Sequence, residues 1–594
     1  MQLSDEQSFF IKKALEGNNI LVDACIGSGK TTAIQHLCDE YPENIKILYL
    51  TYNKLLKIDA KEKIKKKNVL VTNYHGFAYM HLARAGIRSG ISDLIQIFIK
   101  KIESVSKYDV LIIDEYQDIE TELAEMLNII KSSNPDIQTI AVGDMEQKIY
   151  DKTTLNVRKY IEEFLGKHLK LEFTQCFRLS AEHAAKLGRI WNKKIVGVNE
   201  NCEVLTMSED DIVEYLAEQA PEDVLCLGAR TGSMADTLNE LEDLYPDKYN
   251  KYTVYASIMD SDTLTAVEPS KETAIFTTFD SSKGLERKIV VVFDYTEGYW
   301  SVRLNKPQQS YKILRNIFCV AASRGKEKII FVDNGEGFVS EKSLSTPYEE
   351  SSYKHDDVDI SSMFDFKYKE DVEKCFSLIK KKKLKATDEN AIDIKSKDGL
   401  IDLSPCIGIY QEASFFKDYD IEDDIRLQFD INADLEHLYS NDIKNSTVER
   451  KILFLTSLST RQNRYMNQVN CPFILEEEKE LLKERLLTTF TPYESVQKQY
   501  NIPFYDKNKN FAFTAKGMVD VIKDDIIYEL KFVNELTHEH FLQCASYIVA
   551  SGLKKGRLWN TRTNEMYEIT VPDKKAFLNA VAKTITKGII DKYY

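Results

Sequence analysis

The sequence predicts an α/β protein: two lobes built on parallel sheets, followed by a separate α+β region. Three observations predict it. Short unalternated Val/Ile/Leu runs recur between amphipathic stretches, they fall into two series, and the composition changes after Asp333. Apolar strands separated by helices build parallel sheet covered on both faces. The first series is Ile20–Ala24, Ile45–Tyr52, Asn68–Thr72, Val110–Asp114, Thr139–Gly143 and Leu169–Phe173. The second is Val224–Leu227, Ala274–Thr278, Ile289–Phe293 and Lys328–Val332. Residues 1–170 and 171–339 are therefore read as the two lobes. Residues 340–364, rich in Ser, Glu and Asp, read as a linker. Residues 365–594 form the third region, helical in its middle and β-rich around 510–533. Within it, Lys380–Lys383 reads as a solvated helix face rather than a nucleic-acid contact.

At 594 residues the chain exceeds a single core. Its net charge of −15 excludes a protein coated in basic surface. It does not exclude nucleic acid, which needs only a local Lys/Arg track. The 10 cysteines are scattered without a CxxC, which argues against a zinc ribbon or an iron–sulfur staple and for reduced thiols. The N-terminal stretch Met1-Gln-Leu-Ser-Asp-Glu-Gln7 has neither the basic nor the apolar part of a signal peptide. No apolar run approaches a membrane span. A cytoplasmic location without a membrane partner is the expectation.

The segment Ala24-Cys-Ile-Gly-Ser-Gly-Lys-Thr31 follows a strand and opens a helix. Gly27 and Gly29 permit positive φ and close backbone approach, so the amides around Ser28 can cradle phosphates. Lys30 is placed for the β/γ-phosphates, the Thr31 hydroxyl for Mg²⁺, and Thr32 for the same first helical turn. The first position is Ala24, where the strict pattern has Gly. Its partner is Leu111-Ile-Ile-Asp-Glu-Tyr-Gln-Asp118. Asp114 leaves a hydrophobic strand where it can hold Mg²⁺, and Glu115 is placed to polarise the attacking water.

Together these strings resemble the UvrD/RecB-like superfamily 1 helicases, and particularly their compact F-box-helicase-like branch. Leu3-Ser-Asp-Glu-Gln7 resembles the Q motif, which implies that Gln7 reads the adenine. Leu50-Thr-Tyr-Asn-Lys54 and Thr72-Asn-Tyr-His-Gly-Phe-Ala78 resemble motifs Ia and Ib of the single-strand track. Val142-Gly-Asp-Met-Glu-Gln-Lys-Ile-Tyr150 resembles motif III, with Gln147 as γ-phosphate sensor. Phe173-Thr-Gln-Cys-Phe-Arg-Leu-Ser180 resembles motif IV, implying that Phe177 stacks on adenine and Arg178 is an arginine finger. Thr278-Phe-Asp-Ser-Ser-Lys-Gly-Leu-Glu286 is similar to motif V, placing Glu286 on the nucleotide side. Phe318-Cys-Val-Ala-Ala-Ser-Arg324 is similar to motif VI, giving Arg324 as second finger. The resemblance implies two RecA-like lobes with ATP between them, where a finger is worth about 10³–10⁵ in rate. Two departures stand out: Tyr150 is followed by Asp151 and Lys152 where a stacking Trp is common, and Asp280 stands where His is usual. Tyr52, Tyr74 or Phe77 would then have to supply the base-stacking platforms, each worth roughly 1–3 kcal/mol per base.

In the third region Gly517-Met-Val-Asp520 precedes Glu529-Leu-Lys531. Read as a hairpin, Met518–Ile522 and Ile526–Val533 are joined at Lys523-Asp-Asp525. Alternation puts Glu529 and Lys531 on one face, and Asp520 can meet them across the turn. Two carboxylates for Mg²⁺ or Mn²⁺ beside a lysine suit phosphodiester hydrolysis. In the next helix Gln543 and Tyr547 lie one turn apart. The order GxxD, ExK, QxxxY resembles the RecB-type PD-(D/E)XK nucleases. Such proteins usually add an upstream acidic or His ligand; Glu449 is the expectation and Glu412 its competitor. His538 and His540, with no third ligand near, read as polar residues at a helix start. The resemblance as a whole implies an ATP-dependent 3′→5′ translocase or helicase on single-stranded or tailed duplex DNA, coupled to a metal-dependent nuclease, in repair, recombination or anti-phage defence. It would use ATP and Mg²⁺ (Mn²⁺ at the nuclease site), without an iron–sulfur cluster. The alternative is a DNA-stimulated ATPase that gates the nuclease, or a protein partner in a larger complex, without processive unwinding.

Overall fold

The computed structural model describes residues 3–52, 54–87, 93–257, 270–304, 310–347, 357–388, 390–393, 400–506 and 511–593. In the first lobe, β1 (Ile20–Ala24), β2 (Ile47–Thr51), β3 (Val69–Asn73), β4 (Val110–Asp114), β5 (Gln138–Gly143) and β6 (Leu169–Phe173) form a parallel sheet. Their order is β3-β2-β4-β5-β1-β6. Strands β2 and β4 are buried at every position, as unalternated strands between two helical layers must be. The loops after β1, β4 and β5 leave from the same carboxyl edge, where parallel sheets bind ligands. Because β6 pairs with β1, this sheet runs on to Phe173.

A short parallel ribbon, β7 (Gln175–Cys176) with β8 (Val196–Gly197), leads to the second lobe. There β9 (Glu203–Ser208), β10 (Val224–Gly228), β11 (Val254–Ser257), β12 (Ala274–Thr278), β13 (Arg287–Val292) and β14 (Gly325–Asp333) form a second parallel sheet. The order is β11-β12-β10-β13-β14-β9. Strands β9 and β11 are absent from the strand series expected above. They are the two edges of the sheet, and β9 is nowhere fully buried, so it needs no apolar run.

The third region is built on a mixed sheet, β15 (Val358–Asp359), β16 (Lys380–Lys383), β17 (Ser495–Asp506), β18 (Phe511–Lys523), β19 (Ile526–Lys531), β20 (Lys555–Asn560) and β21 (Glu565–Thr570). Its order is β15-β18-β19-β20-β21-β16, with β17 on β18. The linker expectation therefore needs correction: its end is β15, parallel to β18, and residues 348–356 lie outside the described residues. Lys380–Lys383 is corrected as well, being an exposed edge strand antiparallel to β21 rather than a helix face. Lys381 lies over the Phe376 and Phe541 rings at 4.5 and 4.9 Å, and Lys383 over Tyr567 at 5.7 Å, so alternate lysine stems cover apolar surface.

This region touches both lobes. On the first, Lys369 N donates to Lys152 O at 2.8 Å, Lys587 Nζ reaches Asp151 Oδ2 at 2.8 Å, and Lys369 Nζ reaches Glu122 at 2.5 Å. On the second, Arg464 pairs with Glu242, both buried, and Asn463 N donates to Asn239 Oδ1 at 2.9 Å. Lys251 N donates to Gln468 Oε1 at 2.7 Å. Among the described residues, no helix is long and apolar enough to cross a membrane.

Candidate active sites

The first site lies at the carboxyl edge of β1. Gly27 (φ 66°) and Gly29 (φ 72°) sit in the left-handed region that favours glycine. A Cβ on Gly27 would stand 2.8 Å from Arg178 Cβ, and one on Gly29 2.8 Å from Gln7 Nε2. Nothing but glycine lets the motif IV arginine and the N-terminal glutamine approach this closely. Gln7 forms a capping box with Ser4 at the first helix, and its Nε2 donates to Ser28 O at 3.0 Å. The Phe177 ring lies beside Gly29 and is 37% exposed, so the loop is flanked by a carboxamide and a free aromatic face. Lys30 opens the helix Lys30–Glu40, with Thr31 and Thr32 half-buried in its first turn.

Lys30 Nζ lies 3.1 Å from Glu115 Oε1. Glu115 has φ 54°, which turns the chain sharply out of β4, and Asp114 accepts from Tyr49 Oη at 2.8 Å and from Glu115 N at 3.0 Å. Burial and the neighbouring Glu115 push Asp114 up to about 7. Glu115 is buried too, yet Lys30 and Lys283 outweigh that and hold it low. Gln117 donates to Glu115 and accepts from Asp144 N at 3.0 Å. Gln147, expected at the γ-phosphate, donates to Asp144 Oδ2 at 2.8 Å.

The second lobe brings cations to the same place. Arg178 pairs with Glu286 and donates to Ser323 O at 3.4 Å. Arg324 is buried, with Nε and Nη2 lacking any hydrogen-bond partner. Burial, and then the adjacent Arg178, depress it to about 9. Lys283 joins the lobes through Asp118 and through Gln147 O at 3.0 Å. Asp280 takes a fork of two 2.9 Å hydrogen bonds from Arg303, a structural use for the carboxylate that replaces His. The single-strand track differs from expectation. Tyr74 and Phe77 are core residues on the inner face of the helix Tyr74–Arg84, packed with Leu82 and Phe98, and offer no platform. Tyr52 stacks on Tyr150 at 6.3 Å between centroids, and Asn53 lies outside the described residues.

The second site lies on the mixed sheet. Asp524 and Asp525, both at positive φ (50° and 58°), make the tight turn between β18 and β19. The ladder is paired from Lys523/Ile526 to Val521/Tyr528; beyond it Asp520 Oδ2 accepts from Leu530 N at 2.6 Å. Glu529 is 1% exposed, pairs with Lys531 Nζ at 2.9 Å, and leaves Oε2 without a partner. Burial and Glu529, then Glu412, raise Asp520, and burial raises Glu529. Glu412, on the helix Ser404–Ala413, is pushed to about 8 by burial, with Glu529 contributing, and accepts from Gln497. Glu449 departs from the expectation, its carboxylate taking Lys479 at 3.2 Å, whereas Glu412 is near enough to Asp520 and Glu529 for its charge to act on both. A helix partner cannot be ranked from sequence when two glutamates precede the hairpin, and Gln497 carried no signal at all.

Tyr547 and Gln543 are buried on the helix His538–Ser551. A Cβ on Gly517 would stand 2.5 Å from Tyr547 Oη and 3.1 Å from Ile360 Cβ, which explains the glycine of GxxD. His540 Nδ1 accepts from Thr537 N at 3.0 Å at the helix start, whereas His538 stacks on Phe376 at 3.7 Å and pairs with Glu373 Oε1 at 2.5 Å on the helix Lys369–Ser377. All of the cysteines are free thiols, and Cys544 is buried.

Residues 7–153 match the model of an AAA domain, and residues 486–570 match that of the PD-(D/E)XK nuclease superfamily. The two matches fall in different parts of one chain. A comparison with curated proteins found no match. Among solved structures, the arterivirus nonstructural protein 10 helicase is 12% identical, covering 56% of this chain and 64% of its own, with a TM-score of 0.31. A structure of Pif1 helicases at forked double-stranded DNA is 14% identical over 59% of this chain and 95% of its own, TM-score 0.31. The DUF1998 helicase MrfA bound to DNA is 13% identical over 56% and 49%, TM-score 0.32. The chain thus spans less than two-thirds of the arterivirus and MrfA chains. Lys30 lies within the stretch that matches the AAA domain model, and Asp520 within the stretch that matches the PD-(D/E)XK nuclease superfamily model.

Proposed function

We propose that this chain is an ATP-driven, 3′→5′ DNA translocase coupled to a metal-dependent DNA nuclease, acting in repair, recombination or anti-phage defence. One observation recurs in both halves and carries the reading: a buried charged group keeps an atom without a hydrogen-bond partner at the candidate site. In the motor it is Arg324; in the nuclease it is Glu529. A buried polar atom left without a hydrogen bond is costly, so a native site that keeps one has a ligand in view.

For ATP, the loop amides and Lys30 hold the phosphates, Gln7 and Phe177 flank the adenine, and Glu115 orients the attacking water and accepts its proton. Arg178 and Arg324 meet the charge that spreads onto the γ-phosphoryl oxygens, so hydrolysis is tied to lobe closure. Thr31 and Asp114 are the residues for Mg²⁺, which neutralises phosphate charge when bound. Polarity and setting rest on the resemblance of the ordered motifs.

For the nuclease, Asp520, Glu529 and Glu412 form an acidic set whose raised protonation and open Glu529 oxygen fit a divalent cation. Such an ion supplies an activated water and Lewis acidity. Lys531 stays an ammonium, because Glu529 and Asp520 outweigh its burial. It therefore orients water and stabilises the developing charge, and does not act as a base. Gln543 and Tyr547 line the same site. The test is cleavage of a labelled strand, with ATP turnover, by the chain and by Lys30→Ala and Lys531→Ala. Cutting that survives Lys531→Ala overturns the nuclease half; turnover that survives Lys30→Ala overturns the motor half.

A second reading, an ATPase that gates the nuclease without unwinding, is favoured by the docking of residues 151–153. That segment, where relatives place a stacking Trp, is held by Lys369, Glu370 and Lys587 of the third region.

A further inference from the structure

Three carboxylates outside the reacting centre close around one lysine. Lys193 Nζ lies 2.6 Å from Asp23 Oδ1, 2.8 Å from Asp144 Oδ1 and 3.1 Å from Glu146 Oε2. Asp23 is on β1, immediately before the phosphate-loop segment that begins at Ala24; Asp144 and Glu146 follow β5. Lys193 comes from the other side, just past the helix Ala181–Trp191, which packs into the core of the second lobe with Leu227, Val290 and Ile329.

Its aim is built into the backbone. Asn192 is left-handed (φ 52°), and Lys193 N donates to Gly188 O at 2.9 Å, so the chain doubles back at the helix end. A Cβ on Gly188 would stand 2.7 Å from Lys193 O. From Lys193 a continuous buried chain of hydrogen bonds leads inward. Asp144 accepts from Lys193 through Oδ1 and from Gln147 through Oδ2, while its N–H donates to Gln117, and Gln117 donates to Glu115. Gly143 is what gives Gln117 room: a Cβ there would stand 2.6 Å from Tyr116 Cδ1 and would collide with Gln117 Oε1.

We propose that Lys193 is a positioning residue of the ATPase: carried by the second lobe, its ammonium fixes Asp144 and, through Gln117, the Glu115 carboxylate. This rests on the ATPase reading above. The physical reason is that Glu115 must present one oxygen to water while Lys30 draws on the other. Gln117 holds that second orientation only if its own carbonyl is pinned by the Asp144 amide. Asp144 in turn sits in a place that repulsion from Asp23 and Glu146 would disperse without a cation between them. Withdrawal of the second lobe would remove that cation, so the water-activating group is set when the lobes are together and relaxed when they part.

The test is steady-state ATP hydrolysis and calorimetric ADP binding for the full chain, Lys193→Met, Lys193→Arg, Gln117→Ala and the Lys193→Met/Gln117→Ala double variant. We expect Lys193→Met and Gln117→Ala each to lower kcat about tenfold or more, with ADP affinity within about twofold of the parent. The double variant should be no worse than the poorer single, as for groups acting in one chain. Lys193→Arg, which keeps the charge, should retain kcat within about threefold. An unchanged kcat in either Lys193→Met or Gln117→Ala, ADP affinity lost in parallel, or losses that multiply would each overturn the proposal. If Lys193→Met does not fold, Lys193→Arg and Gln117→Ala decide it on the same criteria. Absence of any turnover sensitive to Lys30→Ala would instead sink the ATPase reading itself.

Discussion

The Tyr547 hydroxyl occupies the space beside Gly517 that a methyl group would need, 2.5 Å from the position of its Cβ. The GxxD glycine and the QxxxY tyrosine are thus one packing unit, holding β18 against the helix His538–Ser551 behind Asp520. Gly517→Ala should cost about 1–3 kcal/mol by overpacking. Urea unfolding of the nuclease domain checks the stability, and strand cleavage should fall while ATP turnover persists.

Arg324 is buried with no hydrogen-bond partner at Nε or Nη2. Arg324→Ala should lower ATP turnover about 10³-fold or more, as loss of an arginine finger does. ADP binding should change far less. Single-turnover hydrolysis beside equilibrium nucleotide binding separates the two effects.

Glu412 and Glu449 should part company on substitution. Glu412→Gln should weaken Mn²⁺ binding at least about tenfold and abolish most cutting, whereas Glu449→Gln should leave both near the parent. Without metal, an ionised Glu412 opposes folding because burial and Glu529 raise its folded value to about 8. Glu412→Gln should therefore raise the melting temperature at pH 8 in chelator and lower cation affinity in the same protein.

His540 gives a pH dependence with a defined sign. Burial, helped by Lys531, depresses it from 6.5 to about 3. The folded form therefore stays neutral while the unfolded chain takes up a proton below about 6.5. Stability from this group is complete above that value and falls by about 1.4 kcal/mol per pH unit as pH drops toward 3. The difference in urea midpoint between the parent and His540→Asn, followed from pH 7 to 4.5, should show this one-proton slope.

Arg464→Leu should leave Glu242 buried and unpaired, a change worth about 3–5 kcal/mol at the interface. Amide exchange should quicken in residues 236–257 and 461–468, while exchange in β1 and β4 stays slow.

Much of this was legible in the sequence, for physical reasons that differ by site. The parallel strands announce themselves because burial on both faces demands unbroken apolar runs; edge strands such as Glu203–Ser208 make no such demand. The phosphate loop is readable because Gly27 and Gly29 are required by conformation and approach. By contrast, Tyr74 and Phe77 carry the right chemistry for stacking, but only helix orientation decides that they point into the core. Lys193 and Gln497 act through partners far away in the chain, where no local spacing marks them.

The docking of the third region on both lobes has a mechanical consequence. Three bodies that each touch the other two form a closed triangle, and a closed triangle has no free hinge. Any rotation of one lobe against the other must slide at least one side: the Arg464–Glu242 seam, or the seam at Asp151 and Lys587. On the proposed function, work released at the phosphates would therefore reach the third region whether or not any strand is being pulled.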